Sequence, residues 1–188
     1  MDKRRQENRR VRRAIAAAWM TLLKEKPFSE ITVTDVVRRA GVARQSYYRN
    51  FTCLEDVARA YMREIQGETM AVLRAQGIDR YGPRFVTLVL EGVARHREDL
   101  LAMYDAGLSQ ILLELIDQMC CQLFGDMPAR SVERYRISCF SGMLFHVEMT
   151  WLQSGAREPA AEVAALLCSY ETRALLDRRI EPEDLDGG

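Results

Sequence analysis

The chain has 188 residues, of which 48% are hydrophobic and 29% are charged, and its formal net charge is zero. This length suits one or two small domains, and the apolar fraction is ordinary for a globular protein with its own core. No apolar run reaches the roughly 18 residues of a membrane-spanning helix, and the first residues carry charge where a signal peptide has an apolar segment. We therefore expect a cytoplasmic protein that does not enter a membrane.

The charge is distributed unevenly along the chain. Residues 1–51 contain 13 Lys and Arg against 5 Asp and Glu, a net charge of +8, so residues 52–188 carry −8. A basic segment attached to an acidic remainder is typical of a protein that binds phosphates at one end. The distribution indicates a nucleic-acid-binding module at the N-terminus.

The cysteines and histidines do not form a recognisable site. Five cysteines without C-x-x-C spacing argue against a disulfide framework and a zinc ribbon, so buried small side chains are expected, with redox sensing as the alternative. Two histidines without ligand spacing, and no Gly-rich phosphate loop or hydrolase motif, predict no metal, no cofactor and no enzymatic activity. These residues are Cys53, Cys120, Cys121, Cys139, Cys168, His96 and His146.

The N-terminal residues predict a basic arm, residues 3–13, that runs into a first helix. Arg4 and Arg5 are expected to contact a phosphate or the minor groove, as arms beside recognition helices do, with a solvated tail as the alternative. Pro27 ends the helix, and Phe28 is expected to close the base of a three-helix unit. One apolar helix face is formed by Ala14, Ile15, Ala18, Trp19, Leu22 and Leu23.

Residues 31–57 contain the signals of a helix-turn-helix motif. Thr34 is expected to be the N-cap of the first helix, and Gly41 ends that helix. A turn of three or four residues leads to the second helix, residues 44–50, which sets the two helices at a steep angle. Tyr47 and Phe51 are the expected anchors of the second helix.

The composition of the second helix is typical of a recognition helix rather than of a core helix. Arginine pairs with guanine and glutamine or asparagine with adenine, whereas hydroxyl side chains commonly bind phosphates. A solvent-facing helix is the alternative. The expected base-reading residues are Arg44, Gln45 and Asn50, the expected phosphate contacts are Thr34, Ser46 and Tyr48, and Arg49 is a further candidate for DNA contact.

The same stretch resembles the DNA-binding signature of the TetR/AcrR family of transcriptional regulators. The matching residues are Ile31-Thr32-Val33, Asp35-Val36, Ala40-Gly41-Val42, Ser46, Tyr48, Phe51 and Glu55-Asp56-Val57. The resemblance implies a dimeric DNA-binding protein. One position departs, because Leu54 stands where the family usually has a basic residue, so a phosphate at this helix end would be held by backbone N–H groups.

The remainder of the chain predicts helices throughout and hence an all-α fold. Thr52 and Glu55 suggest a capping box at the start of a long connecting helix that ends near Arg74, followed by a loop over residues 75–82. Further helices are expected at residues 83–95, 97–105, 109–124, 129–153 and 159–178. We expect a DNA-binding domain over residues 1–51 and an effector-binding and dimerisation domain over residues 52–188.

The helix predicted at residues 129–153 is apolar on more than one face, which indicates that a second copy of the chain covers it. Gly142 permits a close helix approach, so a homodimer with a four-helix bundle is expected. Residues 140–163 also resemble a C-terminal domain of one branch of the family, which does not name an effector.

An apolar cavity between the C-terminal helices is the expected effector site, with core packing as the alternative interpretation. Tyr104 and His146 would orient the effector through hydrogen bonds. The other expected lining residues are Phe85, Leu88, Met103, Ile116, Met119, Phe140 and Met143.

These features together predict a ligand-responsive repressor that binds a palindromic double-stranded DNA operator as a homodimer and releases it when a small apolar effector binds. Two alternatives remain open. One is a helix-turn-helix regulator without an effector that acts through a protein partner, and the other is an activator of transcription.

Overall fold

The structure is a computed structural model that describes residues 2–78, 82–124 and 134–169, and every regular element within these ranges is helical. The all-α fold predicted from the sequence is therefore confirmed. None of the described helices is long and apolar enough to span a bilayer. The elements are α1 Asp2–Glu25, a short 3-10 helix Phe28–Glu30, α2 Val33–Ala40, α3 Arg44–Tyr48, α4 Leu54–Ala75, α5 Pro83–Arg95, α6 Arg97–Asp105, α7 Ser109–Phe124, α8 Arg134–Gln153 and α9 Ala160–Leu167.

The predicted helix positions agree closely with α4 to α7, and two predicted helices extend beyond the described residues. The first part of the helix predicted at residues 129–153 and residues 170–178 of the last predicted helix lie outside them, and α9 ends at Leu167, earlier than the predicted helix over residues 159–178. At the N-terminus the predicted arm is wrong, because α1 is helical from Asp2. Its Lys, Arg, Gln and Glu residues are good helix formers, and Glu7 and Arg10 form an ion pair one turn apart at 3.8 Å.

The N-terminal unit packs around Trp19 of α1, whose side chain is fully buried. Val36 of α2 and Tyr47 of α3 are also fully buried, and the edge of Phe28 meets Trp19 at 6.4 Å between ring centroids. Phe51 is buried as well, so Tyr47 and Phe51 are the anchors that the sequence predicted. Their burial turns the opposite face of α3 toward solvent.

The N-cap of α2 is Thr32 and not Thr34, which corrects the expectation from the sequence. Thr32 Oγ1 accepts a hydrogen bond from the Asp35 backbone N–H at 3.2 Å, and the Thr32 backbone N–H donates to Asp35 Oδ2 at 3.1 Å. Lys26 Nζ also donates to Asp35 at 2.8 Å, and these bonds hold the pKa of Asp35 well below its usual range. Gly41 ends α2 in the left-handed conformation, with φ of 65°. Thr34 lies two residues too late to cap, and its exposed side chain lies beside α3.

The two threonines provide a direct test of this cap. Thr32→Ala is expected to lower the free energy of unfolding by about 1 kcal/mol, since it removes the capping oxygen. Thr34→Ala serves as the matched control and is expected to change the free energy of unfolding by less than about 0.5 kcal/mol. Urea denaturation of both variants measures the difference. A larger loss of unfolding free energy for Thr34→Ala than for Thr32→Ala would show that Thr34 is the N-cap.

The capping box predicted at Thr52 and Glu55 is not formed. Cys53 is the N-cap of α4 and makes no side-chain capping bond, while the Thr52 backbone N–H donates to Asp56 Oδ2 at 3.0 Å. This bond lowers the pKa of Asp56. The helix begins one residue later than the motif requires, so Asp56 rather than Glu55 reaches back to Thr52.

In the C-terminal part, α4 packs against α5 and α7, while α5 also packs against α9 and α7 against α8. The approach of α5 to α4 is close at Gly92, where a Cβ atom would lie 2.5 Å from Thr69 Oγ1. Helix α1 contacts α4 and α6 as well as α2. The domain boundary at residue 51 stays a prediction. Through these contacts, α1 of the predicted DNA-binding domain lies against α4 and α6 of the other predicted domain.

The cysteines differ in their environments. Cys120 fits the interpretation as a buried small side chain, and burial raises the pKa of its thiol to about 12. Cys139 is exposed on α8, which that interpretation did not anticipate, and the other three are partly buried.

Candidate functional site

The outward face of α3 carries the side chains that the sequence selected for DNA contact. Arg44, Gln45, Tyr48 and Arg49 are exposed, whereas Ser46 and Asn50 are half-buried. Tyr48 is 52% exposed, a high value for an aromatic residue. Polar and aromatic groups therefore stand on the side of the unit that faces away from the core.

Thr34, Arg44 and Tyr48 form one cluster that joins the first turn of α2 to α3. Arg44 Nη1 donates to Thr34 Oγ1 at 3.3 Å, and Nη2 donates to Tyr48 Oη at 3.1 Å. The guanidinium carbon lies 5.6 Å from the centroid of the Tyr48 ring. All these partners are neutral, so the charge of Arg44 is not compensated and an incoming phosphate or base edge meets a preoriented donor.

A groove of about 720 Å³ lies between the N-terminal half of α1 and the end of α3. It brings together two sets of residues that the sequence had assigned separately, the arginines of the predicted arm and the recognition helix. The groove is lined by Arg4, Arg5, Glu7, Asn8, Arg9, Val11, Ser46, Arg49 and Asn50.

Glu7 lines the groove and pairs with Arg10, whereas Glu25 and Asp35 pair away from this surface. Glu25 binds Arg39 at 2.5 Å, and Asp35 binds Lys26 and Arg38 at 2.8 and 2.9 Å. Within the described residues, no carboxylate pairs with any of the five arginines around the groove and the recognition helix. These are Arg4, Arg5, Arg9, Arg44 and Arg49, which leave a concentrated positive surface.

Asn50 is less available than the sequence suggested. Its side-chain Nδ2 donates to the Ser46 carbonyl at 2.9 Å, and its own carbonyl accepts from Arg12 Nη1 at 3.2 Å. Arg12 also places its guanidinium 4.7 Å from the centroid of Phe51. Asn50 therefore helps to fix α3 to α1, whereas the side chain of Gln45 makes no hydrogen bond within the part of the chain that the structure describes.

Sequence reasoning missed Asn8 and Arg12. Both follow from the helical spacing of α1, because Asn8 lies four residues after Arg4, and Arg12 lies seven residues after Arg5. Reading residues 3–13 as an arm concealed this periodicity. Asn8 lines the groove, and Arg12 positions the recognition helix.

The N-terminus of α4 is not open to a phosphate in the way the resemblance implied. Glu55 and Asp56 place two carboxylates in its first turn, and Asp56 already accepts the Thr52 backbone N–H. Negative charges at this position repel an anion.

A second candidate site is an internal cavity of about 40 Å³ among α4, α5, α6, α7 and α8. Its wall is almost entirely apolar, with Gln66, Thr69 and Glu148 as the polar exceptions. The full lining is Met62, Ile65, Gln66, Thr69, Val89, Val93, Leu100, Leu112, Ile116, Met119, Phe145, Glu148 and Met149.

Of the residues that the sequence assigned to an effector pocket, Ile116 and Met119 line this cavity. Phe85 and Met103 are buried elsewhere in the core, and Phe140 and Met143 are half-buried. Tyr104 packs against Phe145 of the cavity wall, with 6.3 Å between ring centroids. His146 is exposed, because it lies two residues from Glu148 and therefore on a different face of α8.

Glu148 is the residue of this site that the sequence analysis overlooked. Its side chain is 3% exposed, and burial raises its pKa to about 8. The sequence spacing did indicate that Glu148 is buried, since it follows Leu144 by four residues and precedes Leu152 by four, on the buried stripe of α8.

Comparisons with known proteins address the fold. No family model matches the chain, and no curated protein matches it significantly. Among solved structures, the chain is similar to the fatty acid degradation regulator FadR from Bacillus halodurans, with a TM-score of 0.53 and 18% sequence identity. The match covers 85% of this chain and 93% of that one. The chain therefore has a TetR-like fold, an N-terminal helix-turn-helix unit followed by a helical domain.

Proposed function

We propose that the protein is a sequence-specific, DNA-binding transcriptional regulator that binds an inverted-repeat operator as a homodimer and responds to a small effector. The observation that carries this proposal is the set of arginines without carboxylate partners around α3 and the groove. Buried or structural arginines normally pair with carboxylates, whereas a phosphate-binding surface leaves them available. Arg44 and Gln45 are the proposed base-reading residues, and Arg4, Arg5 and Arg49 the proposed phosphate contacts.

The exposed face of α8 supports the homodimer. Along this face the described side chains are uncharged and mostly small, and a Cβ atom at Gly142 would meet nothing within 4 Å. An uncharged helix face with room for close approach suits a two-fold contact with the same helix of a second copy. The exposed residues of this face include Tyr135, Ser138, Cys139, His146 and Thr150.

A polar cluster joins the DNA-binding unit to the C-terminal helices and suggests how an effector would act. Asp99 at the start of α6 binds Lys24 of α1 at 2.5 Å and accepts a hydrogen bond from the Tyr61 hydroxyl of α4. The contact with Asp99 raises the pKa of Lys24. A shift of α4 or α6 around the cavity would therefore move the end of α1.

This cluster predicts energetic coupling between Lys24 and Tyr61, which lie in different predicted domains. Tyr61→Phe and Lys24→Met are expected to be non-additive, with an interaction free energy of about 1 kcal/mol in a double-mutant cycle, since both contact Asp99. Urea unfolding of the single and double variants measures it. Lys26→Met, which loses its bond to Asp35 instead, is the matched control and should be additive with Tyr61→Phe. Additivity of the Lys24 and Tyr61 variants would contradict coupling of the two predicted domains through Asp99.

The experiment that tests the proposal is selection of genomic fragments by the purified protein at two salt concentrations. Enrichment of a palindromic sequence, weakened by salt, is expected because phosphate contacts release counterions. Enrichment of single half-sites would contradict the dimer, and a lack of any sequence preference would contradict the regulator.

The alternative without an effector, acting through a protein partner or as an activator, is distinguished separately. A reporter with the enriched site placed upstream of a weak promoter separates activation from repression. The cavity favours the effector-responsive form, since an apolar internal site with a few polar groups is the usual design of a ligand pocket.

A further inference from the structure

The C-terminal cavity contains an ionisable group that the fold does not neutralise. Glu148 lines the cavity with its side chain 3% exposed, and within the described residues nothing donates a hydrogen bond to its carboxyl or forms an ion pair with it. Burying a carboxylate without a partner is costly, so such groups are normally paired. The missing partner points to a ligand.

The neighbouring polar groups restrict what that ligand is. Gln66 Nε2 donates to the Leu115 carbonyl at 2.9 Å, and the Thr69 hydroxyl donates to the Ile65 carbonyl at 3.2 Å. The Thr69 hydroxyl proton and one of the two Nε2–H donors of Gln66 are therefore already used, while the carboxyl oxygens of Glu148 and Oε1 of Gln66 accept no hydrogen bond within the described residues. A ligand that satisfies these oxygens must bring hydrogen-bond donors, and a positive charge suits an ionised Glu148 best.

The rest of the wall indicates that the ligand is otherwise apolar. A volume of about 40 Å³ holds a water molecule or two but no effector, so the wall must open on binding. Met62, Met119 and Met149 line it, and methionine side chains adopt new rotamers easily because they are unbranched. An alkyl chain can therefore take the place of these side chains.

We infer that the effector is a lipophilic amine whose protonated nitrogen pairs with the Glu148 carboxylate while its alkyl chain displaces the methionines. This inference rests on the proposed function, since it names the effector class of that regulator. Once Glu148 is ionised, a fatty carboxylate of the same length is disfavoured, because its head group would meet a second carboxylate.

Binding is expected to depend on pH because burial raises the pKa of Glu148 to about 8. The empty site then holds a protonated carboxyl at neutral pH, and an ammonium ligand displaces that proton into solvent. No other lining residue from α4, α5, α6, α7 or α8 is titratable. Cys120 on α7 lies near enough to Glu148 for their charges to interact, but its pKa of about 12 keeps the thiol neutral. Asp117 on α7 accepts the Ser141 hydroxyl, and His146 is exposed on α8.

The test uses octylamine, octanol and octanoate as probes with the full-length protein, by calorimetric titration. Octylamine stays protonated in this range, as lysine does. Its dissociation constant is expected to fall by roughly 50-fold from about pH 6 to about pH 8, because the ionised fraction of Glu148 rises by that factor. Octanol binding should not change with pH, and at about pH 8, where half of Glu148 is ionised, octanoate should bind less tightly than either.

Two variants and a control locate the effect. Glu148→Gln keeps the size of the side chain and is expected to abolish the pH dependence and the preference for octylamine over octanol. Met119→Trp fills the cavity and should abolish binding of both probes. Glu91→Gln, an exposed carboxylate on α5, should leave all three titrations unchanged.

Tighter binding of octanoate than of octylamine at about pH 8, or a pH dependence that persists in Glu148→Gln, would overturn the inference. Failure of octylamine to bind the wild-type protein would overturn it as well. None of these titrations involves DNA, so their failure leaves the operator selection intact. If the operator selection failed while the titrations gave the expected results, the proposed DNA-binding function would be refuted and the amine-binding site would stand.

Discussion

Replacing Arg44 and Tyr48 together by alanine is expected to lower the affinity of the dimer for the operator by about 1,000-fold and to leave the fold intact. Each well-placed side-chain contact with DNA contributes about 1–3 kcal/mol, so the loss of two contacts in each of two half-sites, at the lower end of that range, gives about 4 kcal/mol and this factor. Both side chains are exposed and bind mainly each other and Thr34. Their removal should therefore change the free energy of unfolding by no more than about 0.5 kcal/mol.

Fluorescence anisotropy with the enriched site and with a scrambled duplex, each at two salt concentrations, measures both parts of this effect. If Arg44 reads a base, the variant loses affinity for the enriched site more than for the scrambled duplex. If it binds a phosphate, both affinities fall together and the salt slope decreases by about 1. Arg95→Ala removes an exposed arginine from α5 and serves as the control. Unchanged operator affinity in the double variant would show that Arg44 and Tyr48 of α3 do not contact DNA.

The residues that organise the N-terminal unit were predictable from the sequence because local patterns specify them. Tyr47 and Phe51 are the apolar positions of an otherwise polar stretch, so they had to face inward, and both are buried. Gly41 takes a left-handed conformation that ends α2, as glycine at this place in the pattern indicates. The outward direction of Arg44 and Tyr48 follows from these anchors.

The caps were less predictable, because neighbouring residues satisfied the same pattern. Thr32 and Thr34 are equally good N-caps by residue type, and the choice is made by Asp35, which lies three residues after Thr32 and completes a capping box. Lys26 reinforces that choice through a contact that no helical periodicity encodes. Such contacts depend on how α1 packs against α2.

The cavity could not be located from the sequence, because the residues that line it are of the same types as those that fill the core. Which methionine or phenylalanine faces a void depends on the relative rotation of five helices. Phe85 and Met103 fill the core, whereas Met62 and Met149 line the cavity. Glu148 was the detectable exception, since a carboxylate on a buried stripe requires an explanation.

Glu148 also predicts an unusual pH dependence of stability. In the unfolded chain its carboxyl ionises near its ordinary value of 4.5, whereas in the folded protein the pKa is about 8. The folded state therefore binds this proton more tightly. The resulting stabilisation is complete below about pH 4.5, decreases as the pH rises, and is lost above about pH 8.

Between about pH 5.5 and about pH 8.5 this group is expected to remove roughly 3 kcal/mol from the free energy of unfolding of the wild-type protein, at about 1.4 kcal/mol per unit. Glu148→Gln cannot ionise, so the variant should be the more stable protein at the alkaline end and should lack this part of the pH dependence. Urea midpoints at both pH values and one protein concentration measure the effect, since dimer stability depends on concentration. Glu91→Gln should follow the wild-type curve. Parallel curves for the wild type and Glu148→Gln would show that Glu148 is paired in solution, which would contradict the unpartnered carboxylate of the cavity.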